Sequence, residues 1–264
     1  MTAVRELLGS RELLWNLTQR NLRGRYRGSI LGWTWSLLNP LATTAVYWFV
    51  FTRVFEAVPP VSPTGLENYA LYLVIGLLPW TYFLVGTTQA MSELIGNGSL
   101  IRKVWFPREI LVASSVIAQT IAFLIELALL GFILALVGNI VVLWIPVILV
   151  LVVLLGIFTL GVSMFLASLN VYFRDLSYLW GVLGQMIFYG TPIIYTVEIL
   201  PSNLQWMPRV NPIYSYISAF RSVMYDLQFP TAMTWLKMTT TSAIALAIGW
   251  AVFARLSPRF AEEL

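Results

Sequence analysis

Six long apolar runs, at 30–52, 69–91, 110–137, 141–169, 176–195 and 235–254, carry most of the chain. Each reaches the about 20 residues that a helix needs to cross hydrocarbon. The pattern predicts an all-α membrane protein with six transmembrane helices per protomer in a single domain, 1–264. Asn39-Pro40 interrupts the first run and Pro79 the second, which in a bilayer predicts kinks satisfied by neighbouring helices. Gly138-Asn139-Ile140 leaves room only for a tight turn between the third and fourth. No internal repeat, linker or low-complexity tract is visible, which speaks against the duplicated architecture of many secondary transporters.

Three segments fit no simple span. Between Val4 and Arg23, Val4, Leu7, Leu8, Leu14, Trp15 and Leu22 share one helical face, predicting an N-terminal amphipathic interfacial helix within 1–28. It reads either as an orientation anchor or as a gate. In the 96–109 loop, GNGSLIRKVWFPRE, Asn97-Gly98-Ser99 turns the chain, Leu100 to Phe106 suits a short helix, and Pro107 begins the next span. Trp105 and Phe106 beside Arg102, Lys103 and Arg108 form an aromatic and cationic knob, either a protein docking element or an interfacial anchor. The 198–230 stretch is too proline-broken to span. Ile213, Ile217, Phe220, Met224 and Leu227 recur there at helical spacing, predicting a helix on or dipping into the outer leaflet, with re-entrant character.

Charge sets the orientation. With both ends inside, twelve of the sixteen cations fall on inner segments, and only Arg53, Arg209, Arg221 and Lys237 on outer ones. Six arginines and no separate apolar signal core occupy the first thirty residues, so no cleaved leader is expected. The expected arrangement is a multi-pass membrane protein with both termini cytoplasmic. Composition agrees: 59% hydrophobic and 11% charged residues, at a mean hydropathy of +0.80, cannot coat a water-soluble surface. The net charge of +4 points to anionic lipid headgroups, with no nucleic acid expected.

Catalytic chemistry is scarce. The absence of Cys and His removes thiol nucleophiles, imidazole bases and the usual zinc ligands, and the acidic residues are scattered, so no metal is expected. No G-x-x-x-x-G-K-[ST] occurs, so the chain lacks the nest that holds ATP phosphates. Catalytic residues and cofactors are therefore expected to be none. Glu126 is the acidic residue inside an apolar run, either functional or neutral and hydrogen-bonded to a neighbouring helix. Trp33, Trp35, Tyr47, Trp48, Tyr189 and Tyr195 are candidates for lining a glycan path, or belong to interfacial belts and packing.

Four strings carry a family resemblance. NLRGRYRGSILGWTWSLLNPL (21–41), NGSLIRKVWFPREIL (97–111), FRDLSYLWGVLGQMIFYGTPIIY (173–195) and NPIYSYISAFRSVMY (211–225) resemble the permease subunits of type-two ABC exporters for polysaccharide and polyol phosphate. That family handles O-antigen, teichoic acid, capsule and lipid-linked galactan. The resemblance implies a homodimer with a pore between protomers and two copies of a separate ABC nucleotide-binding subunit, which binds ATP and Mg. It implies that Arg102, Lys103, Trp105, Phe106, Pro107, Arg108 and Glu109 form the coupling element. It implies that Arg23, Arg25, Tyr26 and Arg27 lie at a cytoplasmic entrance for the pyrophosphate of a polyprenyl-linked polysaccharide, and that 198–230 is an extracytoplasmic gate. An ion-gradient-driven lipid or sugar flippase, a membrane glycosyltransferase and a small-molecule ABC exporter permease are the alternatives.

Overall fold

The computed structural model of the chain describes residues 11–24, 34–54, 60 and 62–264. They form helices α1 (Arg11–Gly24), α2 (Thr34–Trp48, continued by the π-helical turn Phe49–Val54), α3 (Tyr69–Gly96) and α4 (Gly98–Lys103). There follow α5 (Glu109–Leu136), α6 (Ile145–Tyr172), α7 (Leu176–Gly190), α8 (Trp206–Val210), α9 (Pro212–Met224), α10 (Ala232–Leu256) and α11 (Phe260–Glu263). No strand occurs among the described residues. Four helical stretches there are long and apolar enough to cross a membrane: Tyr69–Gly96, Glu109–Leu136, Val142–Tyr172 and Ala232–Glu263.

The α5–α6 turn shows how local chemistry sets the connections. Gly138 sits at φ +87°, and the amides of Gly138 and Asn139 donate to Ala135 O (3.1 Å) and Leu134 O (2.9 Å). This is a Schellman closure, which requires a residue free to adopt the left-handed region. Asn139, buried beyond it, donates from Nδ2 to Met224 O at 2.7 Å and so ties the turn to the end of α9. At this same end Ser62 Oγ donates to Tyr225 O and to Asp226 Oδ1. Burial pushes the Asp226 carboxyl above its ordinary value, against the Ser62 hydrogen bond and the Arg221 charge, which hold it down.

Two apolar clusters divide the core. The larger joins α3, α5, α6, α9 and α10 around Tyr82, Phe123, Phe158, Tyr216 and Phe220. The smaller gathers Leu17, Ile101, Phe106, Ile110, Phe253 and Phe260, so α1, α4 and the C-terminal turn share one end of the bundle. Helices α6 and α10 bring their backbones into direct contact where Gly161 faces Ala245 and Gly249.

The structure corrects several sequence-based expectations. The fifth apolar run is not helical to 195: α7 stops at Gly190 and Thr191 is extended, because Pro192 disfavours helical backbone in the residue before it. The short helix of the 96–109 loop ends at Lys103, with Val104 extended, and α5 begins at Glu109 two residues beyond Pro107. The face that α1 buries is Leu17, Thr18 and Leu22, while Trp15 is exposed. Helix α9 does not lie on a surface: Ile213, Ile217, Phe220 and Met224 are buried in the larger cluster, and Leu227, at φ +50°, lies outside the helix. Arg221, counted above among the cations of the outer segments, is buried as well.

Candidate functional site

The 96–109 loop packs one side into the bundle and presents the other outward. Ile101 and Phe106 point into the smaller cluster, and Gly98 lies against Leu264, where an added Cβ would sit 3.2 Å from the leucine Cβ. Arg102, Lys103, Val104 and Trp105 are exposed, Trp105 by 80% against 8% for Phe106. Helix α4 ends before Val104, which is extended, and beyond it the two consecutive aromatics part, Trp105 outward and Phe106 inward. The predicted double aromatic knob is thus a single tryptophan with two cations, and Pro107, Arg108 and Glu109 are half-buried behind it.

A polar joint connects this loop to α1. Arg20 pairs with Glu93 (Nη2 to Oε1, 2.6 Å) and donates from Nη1 to Asn97 Oδ1 at 2.9 Å. Asn97, between α3 and α4, donates in turn from Nδ2 to Glu93 O at 2.7 Å and Glu93 Oε1 at 3.0 Å. Arg23 is exposed on the same helix, and Arg20, Asn16, Gln19 and Gly24 line a cavity of about 540 Å³ with it. Arg25, Tyr26, Arg27 and Trp33 fall outside the described residues.

The second constellation is the helix break after α7. Three successive carbonyls, of Pro192, Ile193 and Ile194, lose their helical partners there. Arg221 on α9 donates from Nη1 to Pro192 O (2.7 Å), from Nη2 to Ile193 O (2.6 Å) and from Nε to Tyr72 O (3.3 Å). Tyr69 Oη donates to Ile194 O. The guanidinium stacks on Tyr72 at 3.7 Å and fills a notch at Gly76, where a Cβ would lie 2.5 Å from Nη2. Asn211 adds a bond from Nδ2 to Thr191 Oγ1 at 2.7 Å. Irregular backbone survives at membrane depth only if its polar groups are satisfied, and here side chains satisfy them.

The sequence reading missed Arg221. A signal existed, since Arg221 follows Ile213 and Ile217 by eight and four residues and so lies on their buried face.

Glu126 on α5 borders a cavity of about 230 Å³ whose other walls include Leu41, Leu71, Leu78, Leu130 and Ile133, so it faces an apolar chamber between α2, α3 and α5. The aromatic candidates are dispersed. Trp35 lies within α2, Tyr47 is half-buried, and Trp48 is exposed with the Arg53 guanidinium 5.9 Å from its ring. Tyr189 and Tyr195 meet at the helix break, Tyr195 Oη donating to Tyr189 O at 2.8 Å, with the Tyr189 ring exposed. Among the described residues no group of His, Cys, Asp and Glu is placed to hold a metal ion.

The chain is similar to known proteins over nearly its whole length. It is 32% identical over 259 residues to an O-antigen export system permease protein RfbA of Klebsiella pneumoniae, covering 96% of this chain and 95% of that protein. It is 31% identical over 264 residues to the Myxococcus xanthus protein of the same name, covering 99% and 98%. Residues 12–225, from α1 through the helix break to the end of α9, match the family model described as ABC-2 type transporter, and the chain belongs to that family.

Proposed function

We propose that the chain is the membrane-spanning subunit of an ATP-driven exporter that carries a polyprenyl-pyrophosphate-linked polysaccharide, of O-antigen or galactan type, across the inner membrane. The observation that carries this reading is likeness to O-antigen export permeases along nearly the whole length of both chains. The functional unit is a homodimer, and a separate ATPase in two copies binds ATP and Mg. The charge rule supports placing α1, α4 and both termini in the cytoplasm. Six crossings per protomer follow if α2 with its π-turn and α7 complete the set. The outward stripe of α7, with Tyr178, Val182, Met186 and Tyr189 exposed, supports a path formed between two copies.

In this reading the ATPase docks on Trp105, Arg102 and Lys103. Large exposed aromatics beside cations supply the buried area and charge pairs of interface hot spots. A push on Trp105 is borne by Ile101 and Phe106 in the core and passes through Asn97 to Arg20. Arg23, with Arg25, Tyr26 and Arg27, attracts the pyrophosphate at the inner surface.

The test separates docking from folding. Trp105→Ala removes an exposed side chain and leaves the thermal midpoint unchanged, but lowers glycan-stimulated ATPase and export by about 30-fold, the equivalent of a 2 kcal/mol hot spot. Phe106→Ala removes a buried ring and costs about 3–5 kcal/mol of stability. Wild-type ATPase and export in reconstituted Trp105→Ala would sink the docking role. A gradient-driven flippase would instead transport without its ATPase, stop when the proton gradient collapses, and fail with Glu126→Gln.

A further inference from the structure

Helix α3 is apolar for most of its length but carries a polar stripe in its last turns, Thr88, Gln89, Ser92 and Glu93, leading to Asn97. Hydroxyls, an amide and a carboxylate on a membrane helix are costly in lipid and belong against water or a polar ligand. The stripe lines a cavity of about 510 Å³ between α3, α1 and α5, whose other walls include Arg20, Asn21 and Ser115. That volume falls within the range of about 300–1,000 Å³ of small-molecule sites.

The hydrogen-bond bookkeeping of the wall selects its ligand. Thr88 Oγ1 gives its proton to Leu84 O at 2.8 Å and Ser92 Oγ to Thr88 O at 3.3 Å, so both hydroxyls face the cavity as acceptors. Asn21 donates from Nδ2 to Ser114 Oγ at 3.4 Å, which leaves Oδ1 as an acceptor. The Glu93 carboxylate is a further acceptor, and it cancels the charge of Arg20 at 2.6 Å. An anion entering here would meet these four acceptors beside a cation already paired, and the neutral amide of Gln89 and hydroxyl of Ser115 that complete the wall suit a hydroxyl as well as an anion. A ligand rich in hydroxyl donors would satisfy them.

We infer that this cavity is a sugar site, holding an uncharged, polyhydroxylated glycan unit through Thr88, Ser92, Glu93 and Asn21, distinct from the arginines assigned to the pyrophosphate. The inference rests on the export reading above and deepens it. It assigns glycan contact at the inner side to a polar helix stripe, not to the aromatic side chains that the sequence offered.

The test uses the complete complex with its ATPase, reconstituted in proteoliposomes. The substrate is polyprenyl-linked glycan extracted from the producing cell, and farnesyl pyrophosphate is the competing ligand without sugar. Thr88→Val with Ser92→Ala removes two acceptors at exposed positions. It is expected to raise KM for the glycan lipid about tenfold with kcat largely retained, and to leave the inhibition constant of farnesyl pyrophosphate unchanged. Thr88→Ser with Ser92→Thr keeps both acceptors and keeps KM. An unchanged KM in the first variant overturns the sugar site while leaving the export reading standing. A parallel rise of KM and of the farnesyl pyrophosphate constant shows that the cavity reads the anion, and overturns it too. A glycan lipid that neither stimulates the wild-type ATPase nor crosses the membrane defeats the export reading itself.

Discussion

Replacing Arg221 by methionine is expected to unfold the break after α7, lowering the thermal midpoint of the detergent-solubilised protein by roughly 6–12 °C and abolishing export. The side chain keeps its volume and loses its donors. Carbonyls of Pro192 and Ile193, bonded at present to the guanidinium at 2.7 and 2.6 Å, are then left in a water-poor interior, while Tyr72 O keeps its place in the α3 ladder. A buried unsatisfied acceptor costs about 1–3 kcal/mol, so two, together with the lost stacking on Tyr72, cost on the order of 3 kcal/mol. For a chain of this size each kcal/mol moves the midpoint by about 2–4 °C. Arg221→Lys is expected to recover only part of the loss, because a single ammonium neither spans three carbonyls nor stacks on Tyr72 as a planar fork does. Gly76→Ala tests the same site from α3. Its methyl would lie 2.5 Å from Nη2 and 2.9 Å from Cζ, so the guanidinium must leave its notch. A midpoint within 2 °C of wild type for Arg221→Met would show that the carbonyls find other partners and that the latch is dispensable.

Arg221 also shows what hydropathy can and cannot reveal. Helices α3, α5, α6 and α10 were legible to within a few residues at most ends because each is a continuous apolar run. The end of α7 was not. Ile193 and Ile194 keep the local average apolar across Pro192, so a break held open by side chains looks like a span. A charge in a polar-flanked segment reads as surface by the same averaging, although its helical phase places it among Ile213, Ile217 and Phe220. The loop at 96–109 was legible as a feature and misread in detail. Whether Trp105 or Phe106 faces inward depends on how the chain leaves α4, and composition does not encode that. The polar joint of Arg20, Glu93 and Asn97 brings together residues more than seventy positions apart. No local pattern announces such a pairing.

Gly249→Ala is expected to be as damaging as the loss of Arg221, for the opposite reason: it adds one methyl where two backbones touch. A Cβ at Gly249 would lie 2.0 Å from Gly161 O and 2.8 Å from Gly161 C, and one at Gly161 would lie 2.3 Å from Ala245 C. No rotamer relieves a clash with main chain, so α6 and α10 must part. Ala245 and Gly249 form the small-x-x-x-small surface by which membrane helices approach closely and gain their van der Waals contact. Parting them also stretches bonds that depend on the crossing. Ser242 Oγ donates to Leu154 O at 2.9 Å across the pair, and Tyr216 Oη, buried on α9, lies 2.6 Å from Ser242 Oγ. The damage therefore reaches α9, the helix that holds Arg221. Overpacking of this kind costs about 1–3 kcal/mol in cores that can adjust, and here the obstacle is backbone. Expected readings are a lowered midpoint, loss of the monodisperse peak in size-exclusion chromatography, and no export. Gly156→Ala on the same α6 is the control. Its methyl meets Tyr82 Oη at an ordinary 3.5 Å, and alanine for glycine within a helix gains up to about 1 kcal/mol. If Gly249→Ala and Gly156→Ala melted alike, close contact between α6 and α10 would not be what holds this bundle together.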